Sequence, residues 1–375
     1  MILLSSIIET FESEYLAQYQ DSILPGHRQA LAAIKTCRTS LSPRILAQCS
    51  KCDSQTFVPH SCGHRNCPHC QHHESQQWLE RQLKKQVPGD YFLLTFTLPA
   101  ELRSLAWRHQ RTLYSLMIQS SWETVRAFSQ NDKQLQGTPG AIAVLHTHSR
   151  RLDYHPHVHL VMPAAAIDVT RKLWRTKKAK GNKDKSAYLF NHKALAKVFR
   201  AKMLEAITRE RLTCPNVIPL EWVVDCKCVG AGEKALVYLG RYLYKGVIQE
   251  KDIVACRDGK VTFRYQNSKT KQMTLKTVPG VNFLQLILQH VLPKGFRRAR
   301  NFGFLHPNSK RLIGLLQYLL GVNPNQALAW LKKRPEFKCQ CCGSTMKIVK
   351  TRIPLPFSFE LPMPTDQRNQ KGQVM

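Results

Sequence analysis

Three histidines alternate along Leu152 to Pro163, LDYHPHVHLVMP, and that pattern constrains the fold more than any other stretch. Residues two apart on an extended strand point the same way. His155, His157 and His159 would therefore line one face, with Val158, Leu160 and Met162 on the other, facing a core. Neutral imidazole is the commonest metal-ligand side chain, and two imidazoles at i and i+2 suit one ion. The bland alternative is a half-exposed strand with chance histidines, so the neighbouring sequence has to decide. Ala141 to His148, AIAVLHTH, reads as a second strand, joined to the first by a short connection. A hairpin between them would bring His146 or His148 beside His157 and His159 as a third ligand.

Charge narrows the partner. The chain has 375 residues, and 56 Lys+Arg against 25 Asp+Glu give a net charge of +31. Self-repulsion on that scale points to a polyanionic partner. Lys and Arg that displace condensed counterions supply most non-specific affinity for nucleic acid. No run of 18 apolar residues is present, so no transmembrane helix is expected. MILLSSIIETF at the start reads as a first helix, lacking the features of a secretory leader. Thirteen cysteines, grouped in tight pairs, favour metal sites in a reducing cytoplasm over disulfides.

Cys49-Ser-Lys-Cys52 and Cys67-Pro-His-Cys70 are two CxxC knuckles separated by fourteen residues. Each supplies two thiolates from one turn, and zinc asks for four in a tetrahedron. The expected structural zinc therefore takes Cys49, Cys52, Cys67 and Cys70, with Cys37, Cys62, His60 and His64 as spare candidates. Cys339, Cys341 and Cys342 resemble half of another knuckle that would need distant partners. Cys226 and Cys228 read as structural or incidental.

Lys234 to Gly246, KALVYLGRYLYKG, has helical spacing and places Tyr238 and Tyr242 four residues apart on one face. Arg241 and Lys245 each follow a tyrosine by three residues. A phenol is a poor nucleophile near neutrality because its pKa is close to 10; a nearby cation and a metal-polarised phosphate would both help. Core packing is the competing explanation for a tyrosine pair. Lys294-Gly-Phe-Arg-Arg-Ala-Arg300 packs four bases around an aromatic, so Lys294, Arg297, Arg298 and Arg300 are candidate phosphate contacts. The basic loop Arg171 to Lys185 is a weaker one. Beyond Pro354 the proline- and glutamine-rich tail reads as disordered.

Taken together, HPHVH, the twin tyrosines, the cysteine module and VFRAKMLEAI resemble the two-tyrosine HUH rolling-circle transposases of the IS91 and ISCR type. The likeness runs across nearly the whole chain, through CRTSLSP, SCGHRNCPHCQ, YFLLTFTLP, WVVDCKCVGAGEKALVYLGRYLYK and HVLPKGFRRARNFGFL. It departs from the family's usual pattern at Ala164-Ala165-Ala166, where glycines are common, and at His148-Ser149, where Trp-Gly is usual.

The resemblance implies an α+β fold: a HUH nuclease core, an antiparallel sheet flanked by helices, with an N-terminal zinc-binding module. The expected division is 1–90, helical and zinc-binding; 91–310, catalytic; and 311–375, a helical and cysteine-containing segment with its tail. It implies metal-dependent nicking of single-stranded DNA at the ends of a mobile element. His157 and His159, with His146 preferred over His148, would hold Mg²⁺ or Mn²⁺. Tyr238 or Tyr242, helped by Arg241 and Lys245, would form a 5′-phosphotyrosine link and transfer the strand to target DNA. The expected setting is the nucleoid of a bacterial-type cell, without a membrane. A plasmid replication initiator or relaxase would use the same chemistry, and a zinc-dependent DNA-binding regulator would use none of it.

Overall fold

The computed structural model describes residues 2–178, 188–244, 246–268, 270–331 and 336–354. In chain order its elements begin with α1 (Leu4–Gln18), α2 (Pro25–Thr36), β1 (Arg44–Cys49), β2 (Gln55–Pro59), α3 (His72–Leu83) and β3 (Tyr91–Thr97). There follow α4 (Arg103–Arg108), α5 (Gln110–Asn131), β4 (Thr138–His148), β5 (Tyr154–Pro163), β6 (Ala165–Asp168), β7 (Leu173–Thr176) and α6 (His192–Arg209). The remainder is β8 (Val224–Cys228), α7 (Glu233–Tyr244), β9 (Ile253–Arg257), β10 (Lys260–Gln266), β11 (Met273–Pro279), α8 (Gly280–Leu288), β12 (Ala299–Gly303), α9 (Lys310–Leu319) and β13 (Met346–Ile353). The architecture is mixed α+β, with antiparallel sheets flanked by helices. Most of Lys178 to Lys185 in the basic loop, Lys269 in the β10–β11 turn, and the tail after Pro354 lie outside the described residues.

Two compact units emerge, one of residues 1–37 and 62–334, the other of 38–61 and 335–375. The N-terminal helices fall in the first of these units. Leu4, Ile7, Ile8, Phe11 and Tyr15 of α1 and Leu31 and Ile34 of α2 bury their apolar faces in one cluster with Phe283, Leu284 and Ile287 of α8 and Phe263 of β10. They belong to the large unit and do not stand alone with the cysteines.

In that unit the main sheet runs β7-β6-β4-β5-β3-β8, with β12 also pairing β4, and all its pairings are antiparallel. Alternation along β5 decides what each face meets. Val158, Leu160 and Met162 join Phe92, Leu94 and Phe96 of β3 under α5 and α6. The opposite face places Val161 of β5 and Ile142 and Val144 of β4 in a cluster with Trp78, Leu79 and Leu83 of α3 and Leu236, Leu239 and Leu243 of α7. The histidines share this second face, so α7 is the helix that covers them. Ala164, Ala165 and Ala166 are all buried, and Ala164 and Ala166 pack in the α5/α6 core.

One buried carboxylate ties α1 into this unit. Leu3 provides no side-chain cap for α1; instead Glu250 Oε1 accepts from the Leu4 backbone N–H at 2.8 Å, and His69 Nε2 lies 3.0 Å from its other oxygen. A carboxylate suits a helix N-terminus, where unpaired N–H groups point outward. Glu250→Ala is expected to lower unfolding free energy by about 2 kcal/mol, read as a lower urea midpoint at unchanged slope. An unchanged midpoint would show the contact to be dispensable.

In the small unit β1 lies between β13 and β2 in an antiparallel sheet. Its core is slight: Ala47, Cys49, Cys339 and Met346.

Candidate active site and metal centres

The β4–β5 hairpin anticipated from the sequence is present, with His146 directly opposite His157 and Val144 opposite His159. One ring nitrogen from each of His146, His157 and His159 lies within 4.8 Å of the others. The orientation of two rings is set by their Nδ1 atoms. His157 Nδ1 donates to the His155 carbonyl at 2.7 Å, and His159 Nδ1 lies 3.1 Å from Thr95 Oγ1 on the adjacent β3. The carbonyl can only accept, so it fixes the His157 tautomer and leaves Nε2 as the free ligand atom, while the Thr95 hydroxyl orients the His159 ring. His146 Nε2 is buried with no hydrogen-bond partner, and as an unprotonated nitrogen it has a lone pair that a cation would satisfy. Burial holds all three imidazoles neutral: His157 is pushed down to about 3, His159 to about 4, and His146 lies well below the ordinary histidine value. Neutral imidazoles are what metal binding needs, and the residues fit a divalent ion.

The other two histidines are not part of the cluster. The register of β4 slips between His146 and His148, and His148 Nδ1 pairs with the Ser149 carbonyl at 3.1 Å. Arg103 donates to His155 Nδ1 at 2.8 Å. A strand pattern places all of these residues on shared faces but carries no information about a local slip.

Helix α7 lays both tyrosines over the imidazoles. Tyr242 stacks on His146, with ring centroids 3.2 Å apart, and on His148 at 4.8 Å. Tyr238 lies 6.3 Å from His146 and 6.1 Å from His159, centroid to centroid. The two differ sharply in access. Tyr238 is 49 % exposed; both tyrosines border a cavity of about 440 Å³ together with His148, Arg150 and Arg264. The Tyr242 hydroxyl is buried without a well-directed hydrogen bond. Burial raises both phenols, Tyr242 far more, while the Arg150 charge acts in the opposite direction on Tyr238 and the Arg298 charge does so on Tyr242. Arg150 was not among the candidates from the sequence; the only signal was its place two residues after His148. The side chain of Arg241, and Lys245 altogether, lie outside the described residues.

The cysteines require a correction. Cys49 and Cys52 do not share a site with Cys67 and Cys70. The thiols of Cys67 and Cys70 meet those of Cys37 and Cys62, all four within 4.8 Å of one another. Cys37 Sγ and Cys62 Sγ lie 3.3 and 3.6 Å from Cys70 Sγ. Four sulfurs about 2.3 Å from a zinc ion are roughly 3.8 Å apart, so this set fits zinc. A CxxC turn provides only half a site, and chain spacing says little about which two thiols complete it. Cys37 is delivered by the end of α2, which packs in the large unit. The spare histidines take no part: His60 Nδ1 contacts the Ser61 carbonyl, and His64 Nδ1 accepts from the Asn66 N–H.

Of the four candidate phosphate contacts, Lys294 and Arg297 are exposed. Arg298 donates to the Tyr242 carbonyl at 3.2 Å, which ties it to α7. Arg300 donates to Ser115 Oγ at 3.0 Å and lies over the Phe296 ring. Arg297 and Arg300 also line a cavity of about 1000 Å³ with Arg81, Lys84, Lys85 and Arg111.

Comparison with known proteins decides the family. A family model described as "Putative transposase" matches residues 140–312, and one described as "Transposase zinc-binding domain" matches residues 7–98. "Putative transposase y4qJ" of Sinorhizobium fredii is 30% identical over 324 residues, covering 80% of this chain and 79% of that protein. The chain belongs to the IS91-type transposase family. "Transposase for insertion sequence element IS801" of Pseudomonas savastanoi is 26% identical over 333 residues, with 79% of this chain and 76% of that protein covered. The zinc-binding match precedes the match that spans the histidines and tyrosines in this chain, and the Cys37, Cys62, Cys67 and Cys70 set falls inside the former. Among the described residues no helix is long and apolar enough to cross a membrane.

Proposed function

We propose that this transposase nicks single-stranded DNA at the ends of its mobile element and transfers the strand through a 5′-phosphotyrosine link, by a rolling-circle route. The observation that carries the reading is convergence: three neutral imidazoles on one sheet face and two phenols on the helix that covers it. On this reading residues 91–310 hold the nuclease chemistry, and the protein works at the nucleoid.

His146, His157 and His159 would hold Mg²⁺ or Mn²⁺. When bound, such an ion withdraws electron density from a phosphate oxygen and fixes its orientation. The nucleophile is the Tyr238 oxygen, which faces the open cleft. It loses its proton, forms a bond to phosphorus, and the bond from phosphorus to the 3′-oxygen breaks. That oxygen takes up a proton and leaves as a free 3′-OH. The DNA 5′-end is now a phosphotyrosine, and the diester's energy is conserved for resealing. Arg150 supplies positive charge that favours the phenolate, a role that the sequence resemblance also gives to Arg241 and Lys245. Tyr242 serves the second cut, after α7 shifts enough to free its hydroxyl. Lys294, Arg297 and Arg300, with the basic cavity beside them, would track the phosphates of the strand. A transposase and not a replication initiator is the favoured user of this chemistry because both curated relatives are named transposases.

The test is labelled single-stranded element-end DNA incubated with the protein and Mn²⁺, resolved on a denaturing gel. A covalent protein–DNA band is expected, falling at least about 100-fold in His157→Ala. A metal-replete protein that forms no adduct on any element end would overturn the proposal.

A further inference from the structure

The small unit contains a second arrangement of four thiols, drawn from opposite ends of the sequence. Cys49 Sγ lies 3.4 Å from Cys342 Sγ, Cys52 Sγ lies 3.6 Å from Cys339 Sγ, and all four lie within 4.8 Å of one another. These separations are close to the roughly 3.8 Å edge of a zinc–thiolate tetrahedron and far beyond a disulfide bond length of about 2.05 Å.

A second observation is independent of the sulfur positions. The two turns have the same build. Cys49-Ser50-Lys51-Cys52-Asp53-Ser54 and Cys339-Gln340-Cys341-Cys342-Gly343-Ser344 share the order Cys-x-x-Cys-x-Ser. In each, the N–H of the first cysteine donates to the carbonyl of that serine at 2.8 Å. In each, the residue after the second cysteine has positive φ, Asp53 at 55° and Gly343 at 70°. The Lys51 N–H also points to Cys49 Sγ at 3.4 Å, which favours a thiolate there. Each turn is then continued by a strand, β2 from the first and β13 from the second. The result is two like knuckles facing across a small sheet.

The structure assigns these residues, Cys49, Cys52, Cys339 and Cys342, as a second zinc site that closes a discontinuous ribbon. Residues 38–61 supply one knuckle with β1 and β2, residues 336–354 supply the other with β13, and the 62–334 part of the large unit lies between them in sequence. The apolar core of the ribbon is slight, and in modules with so little core the binding of zinc by four thiolates supplies the free energy of folding. Cys341 is exposed and outside the cluster.

Metal analysis of the purified full chain tests the assignment. Two zinc ions per chain are expected, one in Cys339→Ser with Cys342→Ser, and two in Cys341→Ser. One zinc in the wild type, or two in the double variant, would overturn it. Should the double variant fail to fold, cobalt substitution of the wild-type chain gives a second readout. Thiolate-to-cobalt absorption twice that of a single four-thiolate site supports the assignment, and absorption equal to one site overturns it.

Discussion

Tyr238→Phe is expected to abolish the covalent adduct at the first cut, a loss of at least about a thousandfold, while Tyr242→Phe keeps that adduct within about tenfold of wild type. The asymmetry follows from position. Both phenols share a helix face, but Tyr238 is half exposed on the cleft beside Arg150, whereas Tyr242 is stacked on His146 with a buried hydroxyl. Burial makes the Tyr242 phenol costlier to ionise than Tyr238 even with the Arg298 charge opposing it, and its buried hydroxyl must be uncovered before it can meet DNA. The role of Tyr242 should appear later in the cycle, as failure to complete strand transfer when two ends are supplied. The readout is a denaturing gel of single-end cleavage beside a two-end transfer assay. Equal first-cut yields from the two variants would remove the assigned order while leaving the chemistry intact.

The second large effect concerns a residue that does not approach the histidines. Cys67→Ser is expected to lower nicking by about 100-fold and to reduce zinc content by one ion per chain. The four-thiol site of Cys37, Cys62, Cys67 and Cys70 braces α7. Its knuckle runs directly into α3, where Ser75 Oγ donates to the Gly240 carbonyl at 2.9 Å. Trp78 packs where a side chain at Gly240 would stand. At the far end of the helix, a Cβ on Gly246 would come within 2.9 Å of the Asn66 carbonyl, inside the knuckle. Loosening that turn frees the helix that carries both tyrosines, and a misplacement of about 1 Å can cost about two orders of magnitude in rate. Zinc content and nicking measured on one preparation separate the outcomes. Loss of one zinc with wild-type nicking would show that the knuckle stabilises the fold without positioning α7.

Much of this arrangement was legible in the sequence because it is local. Alternation assigned His157, His159 and Val158 to opposite faces of one strand, and a spacing of four placed Tyr238 and Tyr242 on one side of a helix. The short connection from His148 to Tyr154 implied the hairpin, and with it a third imidazole. Each inference uses a period of the backbone, which neighbouring residues carry among themselves.

What the tertiary structure decided depends on groups far apart in the chain. A CxxC turn offers two thiolates to any other pair, so only the fold could place Cys67 and Cys70 with Cys37 and Cys62, and Cys49 and Cys52 with Cys339 and Cys342. The slip in β4 separated His146 from His148, though both sit on the same face by count. Access to the two tyrosines was decided by what α7 packs against, since helical spacing puts them on a common face without saying which is covered. Sequence periodicity determines the direction in which a side chain leaves the backbone; the partner it meets there depends on contacts closed across long loops, which no local spacing encodes.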